Sequence, residues 1–185
     1  MECRLSDHDE DTLAHAPQIG PSPLHDLINV TLILLMEYRE RINSILDLAA
    51  GDGRLLATLP DNITAWGYDS DPANMATAAA KYGVEVRGWD PSANGIIWAD
   101  LTIAAECLER MQNPHAMVRR ISRNSEFIIA SSPAYETPET HSTGHIWCWD
   151  MNGYEAMFNA AGYRTLRHVL DIEGLGTQVF VGRRT

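Results

Sequence analysis

The sequence predicts an α/β protein, and three observations carry that expectation. Ser44 to Leu59 (SILDLAAGDGRLLATL) reads as one short buried strand, one tight glycine turn and the start of one helix. Ala65 to Tyr68 then reads as a second strand, ending at Asp69, eighteen residues past Gly51. Further strand-like runs follow, and the last two are joined through Gly174 and Gly176 by a connection short enough to make them antiparallel neighbours.

In chain order, residues 1–23 carry Asp7, Asp9, Glu10 and Asp11 and then three prolines, which predicts an acidic, mobile tail or a strap over the fold. Residues 24–185 form the single folded domain. Leu24, Leu27, Ile28, Thr31, Leu35 and Tyr38 follow the helical period, giving an amphipathic helix to Arg41 that packs on a sheet. In the glycine turn, Gly51 and Gly53 let backbone approach a ligand without a Cβ in the way, and small Ala49 and Ala50 serve the same approach. A helix beginning just after the turn would add unpaired N–H groups and a partial positive charge. Asp69 stands where an acidic side chain accepts hydrogen bonds from two ribose hydroxyls, each worth roughly 1.5 to 3 kcal/mol. Asp71 and Pro72 open an alanine-rich helix through Tyr82, with Asp71 as its N-cap.

Val84 to Arg87 predicts a third strand, Asp100 to Ala104 a fourth and Phe127 to Ala130 a buried fifth, with a short helix or turn over Glu106–Met111 and a helix over His115–Ser122. Asp150 is a good N-cap for a helix whose apolar positions are Met151, Tyr154, Met157 and Phe158, and Gly162 ends it. Thr165–Leu170 and Gln178–Gly182 make the closing pair.

Composition narrows the function classes. At 185 residues and 45% hydrophobic content the chain can bury a core as one domain. Its 25 acidic against 14 basic residues give a net charge of −11, which opposes a nucleic-acid backbone as partner. Cys3, Cys107 and Cys148 are widely spaced and odd in number, which indicates neither a disulfide framework nor a cysteine zinc site and fits a reducing cytoplasm. The apolar run Val30 to Met36 is too short to span a membrane. His141 and His145 lack further ligands nearby in sequence, so no metal is expected.

The pieces ILDLAAGDG, GYDSDPANM and ADLTIAAECLERMQNP, with FNAAGYRTL near the end, resemble the class I S-adenosylmethionine-dependent methyltransferases, and within them the small-molecule branch that includes the ubiquinone-biosynthesis enzymes. The resemblance covers roughly residues 44–184. It implies a Rossmann-like, seven-stranded, mostly parallel sheet with helices on both faces and an antiparallel C-terminal hairpin. It also implies S-adenosylmethionine as cofactor and a small-molecule methyl acceptor, oxygen being favoured as the accepting atom. The implied cofactor residues are Asp47, Ala49, Ala50, Gly51, Gly53, Asp69 and Ser70, with Asp90 on the adenine amino group and Ala104 beneath the sulfonium. Asp90 has an equal reading as a turn cap before Pro91. Trp89 or Ile96 is a candidate for the adenine face. The chain departs from the family at Ala49, where the first loop glycine usually stands, at Ala50, often cysteine, and at Arg110, frequently histidine.

If the acceptor must lose a proton, the candidate bases are His145, then His141, and Glu106. His145, Trp147 and Trp149 match in place a histidine and aromatic pair that the family carries beside its acceptor site, so the acceptor pocket is expected between the loop Pro133 to Trp149 and the N-terminal segment. Bracing of a loop is the competing role for any one histidine. Four rival functions remain. A nicotinamide-dependent dehydrogenase lacks the third glycine of its fingerprint here. A DNA amino-methyltransferase is suggested only by Ser132-Pro133-Ala134-Tyr135, without the second proline and with the wrong charge. A non-catalytic methyltransferase-like domain that binds the cofactor or a protein partner, and an enzyme using the same cofactor for another reaction, fit the residues as well.

Overall fold

The computed structural model describes residues 2–4, 23–90, 95–170 and 176–185, the first turn of the first helix by its backbone alone. The acidic cluster Asp7 to Asp11, Pro91 and the turn at Gly174 lie outside these residues, as do the side chains of Leu24 and Leu27. The described elements are β1 (Glu2–Arg4), α1 (Pro23–Glu37), β2 (Ser44–Leu48), β3 (Thr64–Asp69), α2 (Pro72–Thr77), β4 (Val86–Gly88), β5 (Ala99–Ala105), α3 (Pro114–Asn124), β6 (Ser125–Pro133), β7 (Trp147–Trp149), α4 (Met151–Ala160), β8 (Tyr163–Leu170) and β9 (Thr177–Arg184).

Seven strands form one sheet in the order β4-β3-β2-β5-β6-β9-β8. The first five run parallel, and β9 enters antiparallel between β6 and β8, so the predicted mixed sheet and C-terminal hairpin are both present. Strand alternation divides the core in two. Ile45, Leu101, Ile103, Phe127 and Ile129 face Leu34 and Leu35 of α1, while Leu46, Leu48, Ala104, Ile128 and Ala130 face Val118 and Ile121 of α3 and Tyr154 and Phe158 of α4. Both faces of the central strands are buried, which is why they read as continuous apolar runs in the sequence. Asp71, Asn113 and Asp150 cap their helices through the backbone N–H groups of Ala73, Ala116 and Gly153.

Two expectations are corrected. Leu55, Leu56 and Leu59 do not continue as an α-helix; the chain makes one 3-10 turn, Leu56–Thr58, and is extended at Leu59. Proline at position 60 pushes the residue before it out of the helical region, leaving too few residues after Gly53 for a helix to propagate. No helix terminus therefore faces the glycine turn. The second correction concerns cysteine. Cys3 and Cys148 are joined in a disulfide, their Cα atoms 5.6 Å apart. β1 pairs with β7 antiparallel and sets these two residues opposite each other, a meeting across 145 positions that local spacing does not encode. Cys107 is free and buried. No helix among the described residues is long and apolar enough to cross a membrane.

Candidate functional site

The sheet order reverses direction between β2 and β5, and the loops leaving the carboxyl ends of these strands open a crevice where open α/β sheets bind ligands. Among the described residues only Ala49 and Glu106 have a positive φ without being glycine, at +59° and +48°. They terminate the two central strands. Such backbone costs roughly 1 to 2 kcal/mol per residue and is held only where the surroundings over-determine it. The alanine that replaces the usual glycine at 49 therefore keeps the glycine's conformation.

Gly51 (φ +56°) and Gly53 (φ +76°) play different parts in the turn. A Cβ on Gly53 would stand 2.6 Å from Val84 Cγ2 and 2.9 Å from the Ala78 Cβ, so this glycine lets the loop pack on its own fold. A Cβ on Gly51 would meet no atom within 4 Å, so that position borders open space. The loop is fixed by Asp69. One of its carboxylate oxygens accepts from the Gly51 N–H at 2.8 Å, and the other accepts from the Asp71 N–H at 2.8 Å and from Asn74 Nδ2 at 3.2 Å. A carboxylate offers about four acceptor positions. The expectation of two ribose hydroxyls on Asp69 thus narrows to about one remaining position, and the principal work of this side chain is to hold the turn. Asp47, on the buried strand before the turn, is pushed up to about 8 by burial and by the neighbouring Asp69 charge.

A cavity of about 500 Å³ opens beside the turn, walled by Ala49, Ser70, Trp89, Asp90, Cys107 and the first turns of α3. Three predicted residues, Ala49, Ser70 and Asp90, therefore share one wall. Trp89 stacks on Tyr68 and its indole N–H has no hydrogen-bond partner. Ile96 is packed into the core, and Ala104 is fully buried within β5, so neither offers the surface expected of it. β1 braces the far wall, where Glu2 meets His115 Nε2 at 2.6 Å and Arg4 donates to Gln112 at 3.3 Å.

On the other side of the Cys107–Arg110 wall lies a group of buried polar side chains. His145 is 7% exposed, and its Nδ1 contacts both carboxylate oxygens of Glu136, at 2.8 and 2.7 Å. Its Nε2 has no hydrogen-bond partner, and the nearest carboxylate oxygen, on Glu109, is 4.0 Å away, beyond bonding range. Glu109 is fully buried and neither of its oxygens has a hydrogen-bond partner, its nearest cation being Arg110 Nε at 3.9 Å from Oε1. Burial and the adjacent Glu106 push it up to about 8. Burial likewise raises Glu106, against a hydrogen bond from Ser131 and the proximity of His145. For Glu136 burial acts upward too, but hydrogen bonds from His145 and from the Ser142 N–H outweigh it and hold its carboxyl below the ordinary value. Of the predicted bases, the structure brings His145 and Glu106 together. It places His141 apart, in a second, open pocket of about 470 Å³ with Tyr135, Glu136 and Ser142. Of the N-terminal segment expected to close the acceptor pocket, β1 pairs with Trp147–Trp149, and residues 5–22 lie outside the described residues. Glu109 and Glu136 were invisible to sequence reasoning, because nothing local distinguishes a buried glutamate from a solvated one. No group of three or more metal-ligating side chains occurs among the described residues.

This fold is that of the class I methyltransferases. The chain superimposes on the magnesium protoporphyrin IX methyltransferase of Synechocystis PCC 6803 with a TM-score of 0.72 at 13% identity, over 88% of this chain and 84% of that one. The small RNA methyltransferase HEN1 matches with a TM-score of 0.71 at 17% identity, over 96% of this chain but 27% of its own. SpnF, a [4+2]-cyclase, matches with a TM-score of 0.65 at 14% identity, over 86% and 82%. No family model and no curated protein sequence matches the chain.

Proposed function

We propose that this protein is an S-adenosylmethionine-dependent methyltransferase of the small-molecule branch that includes the ubiquinone-biosynthesis enzymes, with an oxygen of the acceptor taking the methyl group. The observation that carries the proposal is the open space at Gly51 beside the 500 Å³ cavity, at the switch point of a sheet with this strand order. The side chains suit such a cofactor. Trp89 and Asp90 would offer a ring face and an acceptor for adenine and Ser70 a hydroxyl, and the buried carboxyl groups of Asp47 and Asp69 at the turn would favour a ligand that carries positive charge. When bound, the cofactor supplies an electrophilic methyl group on sulfur. The chain's own part is to orient acceptor and methyl in line, exclude water and remove one proton. His145 Nε2, which has no hydrogen-bond partner, would accept the proton that the acceptor hydroxyl loses.

Several features favour a small acceptor over a nucleic acid. The net charge of −11 opposes polyanions, and the pocket holding Tyr135 and His141 is of small-molecule size. Composition fits a cytoplasmic protein, while the Cys3–Cys148 bond is the feature that points toward an oxidising compartment. Calorimetric titration with S-adenosylmethionine and S-adenosylhomocysteine, followed by acceptor screening with labelled methyl groups, tests the proposal. Micromolar binding with transfer to a hydroxyl supports it. Binding without transfer to any acceptor class favours a cofactor-binding domain without turnover, or a different reaction on the same fold, as in SpnF. Absence of binding by folded protein overturns it.

A further inference from the structure

His145 has two ring nitrogens in unequal surroundings. Nδ1 sits 2.7 to 2.8 Å from both oxygens of Glu136, and Nε2 is buried without a partner. A carboxylate can only accept, so the contact requires the proton on Nδ1, and in the neutral imidazole this leaves the lone pair on Nε2. We propose that Glu136 is the positioning residue of this site: it fixes the tautomer and ring orientation of His145 so that the buried Nε2 carries a lone pair on the side of Glu109, ready to accept a proton once an acceptor group reaches it. This rests on the methyl-transfer reading for the reaction, though not for the tautomer.

Among the described residues no other side chain does this. The charged groups facing His145 are Glu136 from the loop after β6, Glu106 and Glu109 from the loop after β5, and Arg110, whose Nη1 would lie 3.3 Å from a Cβ on Gly144. Of these, only Glu136 hydrogen-bonds the ring. It is also anchored itself, because the Ser142 N–H donates to one of its oxygens at 2.8 Å. That anchor aims the carboxylate and makes the geometry independent of any ligand. The same imidazole–carboxylate logic governs other enzymes that use histidine as a base, where an amide in place of the orienting carboxylate leaves the geometry intact but selects the wrong tautomer.

The isosteric amide separates positioning from simple bracing. In Glu136→Gln the side-chain oxygen still accepts from Ser142, and the amide NH₂ replaces Oε2, the nearer of the two oxygens to Nδ1 at 2.7 Å, so a donor now faces Nδ1 there and shifts the imidazole proton toward Nε2. Nitrogen-15 NMR of histidine-labelled full-length protein at pH 8.5, with His145→Asn to assign the resonance, is the measurement. The wild type is expected to show His145 protonated on Nδ1, Glu136→Gln protonated on Nε2, and Glu136→Asp restored toward the wild-type signature. With an active acceptor in hand, Glu136→Gln lowers kcat by a hundredfold or more while KM changes less than threefold, and Glu136→Asp recovers at least a tenth of the activity. A folded Glu136→Gln protein with the wild-type tautomer overturns the proposal, as does a wild type protonated on Nε2. Failure to find methyl transfer would remove the reaction and leave the tautomer result standing.

Discussion

At the tip of β3 the Asp69 carboxylate accepts three hydrogen bonds from its own chain, whereas Glu109, beyond the tip of β5, is just as inaccessible and accepts none. The two regions lie at the same edge of the sheet and use the same chemical group to opposite ends. Hydrogen bonds to a charged acceptor contribute roughly 1.5 to 3 kcal/mol each, so the Asp69 cluster is a stabilising element that presets the glycine turn. An unmade bond on a buried polar atom costs about 1 to 3 kcal/mol, so the region around Glu109 and His145 lowers stability, the cost that sites shaped for chemistry commonly carry. Where donors and acceptors are saturated the chain has built a rigid cradle; where they are left open it has kept capacity for a ligand's polar atoms.

The largest expected effect lies on the open side. His145→Asn should leave cofactor affinity within about threefold and reduce methyl transfer by roughly 10² to 10⁴, the range of a lost general base. Single-turnover kinetics with labelled cofactor measure it, and loss of binding alongside activity would place His145 in the cradle and erase the contrast. On the saturated side, Gly53→Ala should destabilise the fold by about 2 to 3 kcal/mol, because the new methyl must displace Val84 and Ala78 while the backbone stays at φ +76°. Urea denaturation reports it. Gly51→Ala sharpens the comparison, since its Cβ enters open space: the stability cost should be only about 1 kcal/mol, from the positive φ, while cofactor affinity falls by about tenfold or more. If the two alanines behaved alike in both assays, the space beside Gly51 would not be a ligand's.

This contrast also marks what was legible in the sequence. β2, β5 and β6 showed themselves as apolar runs because both sheet faces are covered, and α2, α3 and α4 because Asp71, Asn113-Pro114 and Asp150 are local start signals. The glycine turn and Asp69 were legible for the same reason, lying within one strand-turn-strand unit. What escaped depends on distance. β1 and β7 are three residues long and exist only because they pair with each other, which hid the disulfide as well. The open cluster joins residues from two loops, so Glu106 and His145 could be named singly while their meeting, and the part played by Glu109 and Glu136, required the fold. Local signals misled twice, in the odd, widely spaced cysteines and in the leucine spacing after Gly53, which is produced by burial against α1 on one side and Val86 on the other.

The smallest predicted effect tests whether Glu109 is truly uncompensated. Its carboxyl stands near 8 in the folded protein against 4.5 for an ordinary glutamate, so between these values the native state holds a proton that the unfolded chain has released. Stability from this group is therefore fully present below about pH 4.5 and is lost as pH rises through about 8, with a slope of at most about 1.4 kcal/mol per pH unit. Glu109→Gln keeps the neutral shape and removes the proton, so urea midpoints measured from pH 5 to 8 should fall less steeply than those of the wild type. Asp47→Asn should flatten the same window, because Asp47 is raised to about 8 from 3.8 with the same sign. The two differ once ligand is present. A cationic cofactor beside Asp47 favours its charged form, so binding near pH 7 should release protons, seen as a buffer-dependent enthalpy that Asp47→Asn abolishes and Glu109→Gln leaves. An unchanged pH slope in Glu109→Gln would mean that this carboxylate is already ionised and paired, and the division between a saturated cradle and an open cluster would fail at its most buried residue.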